Sequence, residues 1–406
     1  MARLAAVLAV LTAVAGLAVA ARLPRQKRLG SAVLNEVPLV DGHNDLPWNL
    51  RSLEKNQINE FDFDRDLRAD PRWNCSTCFT DLPRLRKGKV GAQFWVAYVP
   101  CSAQYKDAVE MTMEQVDVIK RFVDKYQDDM QYVDSAQGIM EAFAAGKIGS
   151  MIAIEGGHSI DSSLGILRRF HELGVRYLTL THTCNTPWAD PSPVDDVGGK
   201  PEHNGLTDFG KKVVRELNRL GIMVDLAHVS HQTMIDAITE SYAPVIFSHS
   251  SAWAIAQHHR NVRDDVLRMV TVNGGIVMVN FYSLYIRNDG TRGTIEDVVA
   301  HINHIRNVAG VDHVGIGSDF DGVNMVPAGL DDVSKYPALF DRLSQPKAGE
   351  PEWTPEDLKK LAGLNLIRVF RKVEEVRDLM AGSQPIEELL PKNQVPNQAQ
   401  ACKTDL

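Results

Sequence analysis

Residues 222–250 read IMVDLAHVSHQTMIDAITESYAPVIFSHS. Two short apolar, β-branched runs, 222–228 and 244–250, each carry a histidine at or next to the C-terminal end, His228 and His249, and 231–242 between them has the period of an amphipathic helix. The reading is strand, helix, strand, with a metal-ligating residue type at the C-terminal end of each strand.

The same alternation extends in both directions. Further strand-like runs occupy 37–43, 93–100, 150–157, 175–182, 275–281 and 313–320, which makes eight. Helix-period segments lie at 107–126, 162–174, 207–221, 263–274 and 294–310; in the third, Val213, Val214, Leu217 and Leu220 recur at three- and four-residue steps. Gly174 and Gly221 stand where left-handed C-caps are expected. Eight near-continuous apolar runs separated by helices predict an α/β chain folded as a (β/α)8 TIM barrel. An open doubly wound sheet is the rival, but no G-x-G-x-x-G opens a helix. The barrel domain is placed at 37–376, closing with one amphipathic helix over 354–376 that starts at a Thr cap. Residues 49–90 and 190–205 read as polar surface excursions, and 377–406 as a tail, weakly structured from 380.

A net charge of −8 over 406 residues gives no basis for nucleic-acid binding. Residues 1–20, with Arg3, an apolar Ala/Val/Leu run and Ala18-Val19-Ala20, read as a secretory signal peptide, followed by an N-terminal segment, 21–36. Within that segment, Arg25 to Arg28 reads either as a processing site or as a solvated basic patch. The expected localisation is the secretory pathway, then the exterior or the cell surface. Asn74-Cys75-Ser76 is the one glycosylation sequon. Cys75 and Cys78 are expected to form a loop disulfide or remain thiols; Cys402, left over, suits an intermolecular bond. Cys101 and Cys184 follow the second and fourth strands and are expected to bridge; a Cys184–His182 nucleophile is the alternative.

Ionisable residues concentrate at strand ends: His43 and Asp45, Glu155, His182, His228, His249, then Asp319 and Asp321. In a barrel these ends meet at one mouth, where active sites lie. Several carboxylates sharing a partly buried site resist ionisation unless a cation balances them. Imidazole with carboxylate and no thiolate suits zinc or a similar divalent ion, and the surplus of ligands suits two ions about 3.5 Å apart. Glu155 fits the bridge, His43 and Asp45 one ion, His228 and His249 the other. His158 reads as support, His258 and His259 as solvated positions. Arg260 is either a clamp for a substrate carboxylate or a surface ion-pair partner.

The motifs VDGHNDLPW, EGGHSIDSSLG, LTLTHTCNTPWAD, DLAHVS, VIFSHSSA, RNV and DFDG together resemble the membrane dipeptidase (renal dipeptidase) family of amidohydrolase-like barrels. The resemblance implies a binuclear zinc dipeptidase whose relatives act on dipeptides, including cysteinyl-glycine-type conjugates, and on some β-lactams. It implies His43 and Asp45 on one zinc, His228 and His249 on the other, and Glu155 between them. It further implies His182 at the scissile carbonyl, Arg260 on the substrate carboxylate, Asp319 on the free amine and as proton relay, and Tyr285 lining the pocket. Cys402 resembles the family's late cysteine linking two subunits, so a disulfide-linked homodimer is expected. The ending NQAQACKTDL lacks the hydrophobic tail of GPI-anchored relatives and leaves membrane attachment open. Other binuclear amidohydrolases often bridge through a carboxylated lysine, which no strand end here offers, and a non-enzymatic extracellular receptor is expected to have lost a ligand.

Overall fold

The structure, a computed structural model, describes residues 30–394. The signal-peptide reading, the Arg25 to Arg28 cluster and Cys402 lie outside them. Nine parallel strands form one sheet: β1 (Leu39–Asn44), β2 (Val90–Tyr98), β3 (Met130–Tyr132), β4 (Ile148–Glu155), β5 (Val175–Thr179), β6 (Met223–Asp225), β7 (Ile246–Phe247), β8 (Ile276–Val279) and β9 (Val314–Ile316). Strand β2 pairs with both β1 and β4, and β9 pairs with β1, which closes the eight expected strands into a barrel. The ninth, β3, pairs only with the first three residues of β4. A three-residue strand has too little periodicity to be read from sequence, and the helix Ala136–Ala144 that follows it was not expected either.

Alternation sorts the strands. Ala92, Phe94 and Val96 of β2 and Met151 and Ala153 of β4 belong to the barrel interior, whereas Trp95, Ala97, Ile152 and Ile154 meet the surrounding helices. The expected helices form, among them Ala108–Lys125, Asp208–Leu220 and Ile295–Ala309. Gly221 ends the second of these at φ 74°, the left-handed cap that its sequence position requires. Residues 354–379 form one helical run from a Thr354/Asp357 capping box, with a π segment at Lys360–Leu364, and Leu366, Ile367, Val369, Phe370 and Val373 fill the base of the barrel.

The excursion at 49–90 departs from expectation. It is packed onto the barrel, with Phe61, Phe63 and Trp73 buried, helices at Leu46–Glu54 and Leu82–Lys87, and a Cys75–Cys78 disulfide. Its polar composition concealed a few large aromatic anchors, each contributing more apolar area than several small residues. From 190 to 205 the reading holds in part: Asp190 and Ser192 are buried, while 196–200 is exposed. No described helix is long and apolar enough to cross a membrane.

Candidate metal centre

Three strand-end imidazoles converge on one carboxylate oxygen, and two further carboxylates crowd one of them. Glu155 Oε1 lies 3.0 Å from His228 Nε2, 3.3 Å from His249 Nε2 and 3.6 Å from His43 Nε2. Asp45 Oδ2 stands 3.2 Å from His43 Nε2, and Asp319 Oδ1 4.0 Å from the same nitrogen. His228 Nε2 and His249 Nε2 are 3.0 Å apart. Despite the nearby Asp45, His43 Nε2 has no hydrogen bond of acceptable geometry, as expected where two groups aim at a shared point rather than at each other. Groups of three such atoms recur within ligand-sharing distance: His43/Asp45/Glu155, His43/His249/Asp319 and Glu155/His182/His228.

Local backbone explains how the side chains reach the mouth. Gly42 leaves no room for a side chain on β1: a Cβ there would meet Met278 Sδ at 2.6 Å and the Ser248 carbonyl oxygen at 2.8 Å. His228, Asp319 and Asp321 all have left-handed backbone, φ 66°, 66° and 68°. Such non-glycine positions cost on the order of 1 kcal/mol or more and concentrate at functional sites.

The electrostatics of the cluster suit a divalent cation. Burial raises Glu155 and Asp319 above the usual carboxylate range, and Asp45 adds repulsion to both. Burial pulls His43 down, but Asp45, Glu155 and Asp319 outweigh it and push it up to about 10. Burial holds His182 down to about 3 and keeps His228 and His249 well below the ordinary imidazole value, with Arg260 acting the same way. Neutral imidazoles offering lone pairs among crowded carboxylates are the donor set of a divalent cation, and the residues present fit one.

A cavity of about 600 Å³ opens above these groups, lined by Trp48, Tyr98, His182, Tyr282, Tyr285 and Asn324 together with Asp45, Glu155 and Asp319. Thr183 Oγ1 lies 3.1 Å from His182 Nδ1, and His182 Nε2 faces Glu155 across 4.0 Å. Arg260 is 1% exposed; its Nη2 donates to the His249 carbonyl at 3.3 Å, its Nε and Nη1 have no partner, and its guanidinium lies 5.3 Å from the Tyr285 ring centre. That burial excludes the surface ion-pair reading.

Several expectations are corrected or refined. His258 and His259 are half-buried rather than solvated: His258 Nδ1 accepts the Arg260 N–H, its ring stacks on Tyr285, and His259 Nδ1 meets Ser192 Oγ. The loop folds back so that they support Arg260. Asp321 belongs to a different network from the other strand-end carboxylates; it accepts from Phe79 N, Thr80 Oγ1 and Asn49 Nδ2, fastening the 49–90 segment to the mouth. His158 is buried against the Val99 carbonyl as support. Cys101 and Cys184 are bridged, which removes the Cys184 nucleophile, and Cys101 Sγ lies 4.0 Å from His182 Nδ1. Asn280, unmarked in the sequence reading, donates to Asp319 at 2.8 Å.

A (β/α)8 barrel that gathers imidazoles and carboxylates about one point at its C-terminal mouth defines a metal-dependent hydrolase. The chain belongs to the membrane dipeptidase family (peptidase family M19), whose family model matches residues 28–384. It is similar to a metallo peptidase from Rhodobacter sphaeroides liganded with a phosphinate mimic of the dipeptide L-Ala-D-Ala, at 26% identity and TM-score 0.72, covering 83% of this chain and 99% of that one. A dipeptidase of family M19 gives 27% identity, TM-score 0.72 and the same coverage. A probable dipeptidase from Pseudomonas aeruginosa, 19% identical with TM-score 0.74 over 86% and 98% of the chains, shares the fold.

Proposed function

We propose that this metal-dependent dipeptidase is a binuclear zinc enzyme that hydrolyses dipeptides, cysteinyl-glycine-type conjugates among them. The observation that carries the reading is Glu155 Oε1 within 3.6 Å of three imidazole Nε2 atoms. His43 and Asp45 would hold one ion, His228 and His249 the other, with Glu155 shared. Two such ions, when bound, supply Lewis-acid polarisation of the scissile carbonyl and an activated water near neutral pH.

The remaining work falls to side chains. His182 stays neutral; in the tautomer whose Nδ1 accepts from the Thr183 hydroxyl, its proton sits on Nε2, aimed into the cavity to meet negative charge developing on the carbonyl oxygen. Arg260 keeps two donor nitrogens unpaired under Tyr285 for the substrate carboxylate. Asp319, oriented by Asn280, takes the free amine and relays the proton to the leaving nitrogen. Charged groups at both ends restrict the substrate to two residues, because a longer peptide would leave Arg260 facing an uncharged amide.

The test is metal analysis of the purified protein with a dipeptide panel before and after chelation. Two zinc ions per chain, activity lost on chelation and restored by zinc, and rejection of amidated dipeptides are expected; hydrolysis surviving complete metal removal would overturn the reading. We read the chain further as a secreted or surface glycoprotein carrying glycan on the exposed Asn74 and dimerising through Cys402. A glycosidase mobility shift and a dimer on a non-reducing gel check both.

A further inference from the structure

The mouth of the barrel rests on two buried aspartates that no ligand assignment uses. Asp225, the last residue of β6, has all its acceptor sites filled. Oδ1 accepts from Ser248 N at 2.7 Å and Ala227 N at 3.1 Å; Oδ2 accepts from Ser248 Oγ at 2.6 Å and Thr179 Oγ1 at 2.5 Å. One carboxylate thus ties β5, β6 and the end of β7 together. Asp41, in β1, repeats the device: Oδ1 accepts from His43 N and Ser318 N, both at 3.0 Å, and Oδ2 from Ser318 Oγ at 2.5 Å and from Tyr336 OH. Each aspartate grips a serine just past the end of a neighbouring strand, and each serine immediately precedes a site residue, His249 or Asp319.

The two pairs differ in one respect. Ser248 Oγ spends its proton on Asp225, so the 2.8 Å contact with His249 Nδ1 requires the imidazole to donate. The proton on Nδ1 leaves the Nε2 lone pair pointing at Glu155 Oε1. Ser318 Oγ touches no imidazole; its partners are Asp41, Tyr336 and Phe320 N.

We infer that Ser248, polarised by Asp225, is a positioning residue that fixes the tautomer and direction of His249 for metal binding, whereas Ser318 with Asp41 holds strand geometry alone. The inference rests on the binuclear reading, and partners of this kind are generally worth 10- to 100-fold in metal affinity.

The experiment is calorimetric titration of the chelated full-length protein with zinc chloride, for wild type, Ser248→Ala, Ser248→Thr and Ser318→Ala, with apo-protein thermal unfolding alongside. Ser248→Ala is expected to weaken one of two binding events by roughly 10- to 100-fold. Ser248→Thr, which keeps the hydroxyl, should restore most of that affinity. Ser318→Ala should lower the unfolding temperature as Ser248→Ala does while leaving both affinities near wild type. Wild-type affinities in Ser248→Ala, no rescue by threonine, or an equal affinity loss in Ser318→Ala would each overturn the inference. A wild type that takes up one ion would overturn the binuclear reading instead, and the inference would then stand or fall on whether Ser248→Ala weakens that ion.

Discussion

A methyl group at position 322 would stand where two carboxylate oxygens already lie. A Cβ built on Gly322 falls 2.2 Å from Asp45 Oδ2 and 2.6 Å from Asp319 Oδ1. Neither can retreat freely, since Asp45 crowds His43 and Asp319 is tethered by Asn280. Gly322→Ala is therefore expected to lower kcat/KM and metal affinity on the order of tenfold or more, the scale of perturbed ligand orientation, with an unchanged circular dichroism spectrum. Activity within twofold of wild type would show that the two aspartates tolerate displacement. At this scale the ligand candidates were legible because His and Asp at strand ends are rare in apolar company. Asp321 was misleading for the same reason: residue type and position match its neighbours, and only the packing of Thr80 and Phe79 against it gives it another task. Asp225 and Ser248 were illegible because a carboxylate spent on backbone N–H and hydroxyl groups looks, in sequence, like one spent on a metal.

His301 shows how an element, rather than a ligand, holds the clamp. It lies fully buried on the helix Ile295–Ala309; its Nδ1 accepts the Ala252 N–H at 3.0 Å and its Nε2–H donates to the Ile286 carbonyl at 3.2 Å. The first contact fastens the loop that carries Arg260 and the second the segment that carries Tyr285, while Asn261 Nδ2 adds a bond to the Tyr285 carbonyl. Accepting at Nδ1 demands a neutral ring. Burial holds its pKa down to about 4; the Ile286 bond and Asp297 oppose, and His304 adds to the depression. Protons then bind the unfolded chain below about pH 6.5 but the folded one only near 4, so this contribution is whole above 6.5 and is lost as pH falls towards 4, up to about 3 kcal/mol. His301→Gln keeps an acceptor and a donor without a titratable group. Unfolding free energy measured from pH 7 to 4 should fall less steeply in the variant than in wild type, and equal slopes would remove His301 from the acid response. Elements of this length were legible from their 3.6-residue period; β7, two residues long, was legible only through its flanking β-branched run and terminal histidine.

Over the whole molecule, chemistry and closure occupy opposite ends. The (β/α)8 architecture could be read because eight apolar runs and their helices repeat along the chain, but the sequence held no sign of which helix fills the base of the barrel. The run 354–379 does so by bringing a π turn against β1, where the extra residue per turn lets Gly363 approach the Pro38 carbonyl. A Cβ at Gly363 would lie 2.4 Å from that oxygen and 2.6 Å from Val40 Cγ2. Asn365 completes the seal by donating to the carbonyls of Val311 and Val314 at 2.7 and 2.9 Å. Gly363→Ala therefore forces helix and strand apart at a rigid contact, and overpacking of this kind costs about 1–3 kcal/mol. The strain is borne at the N-terminal end of β1, whereas His43 and Asp45 lie at its other end, fixed by Tyr177, Asp41 and the Phe320 carbonyl. The expected result is a lowered unfolding temperature with metal content and kcat/KM at 20–25 °C unchanged. A variant that loses metal in proportion to stability would show instead that base and mouth are coupled along β1.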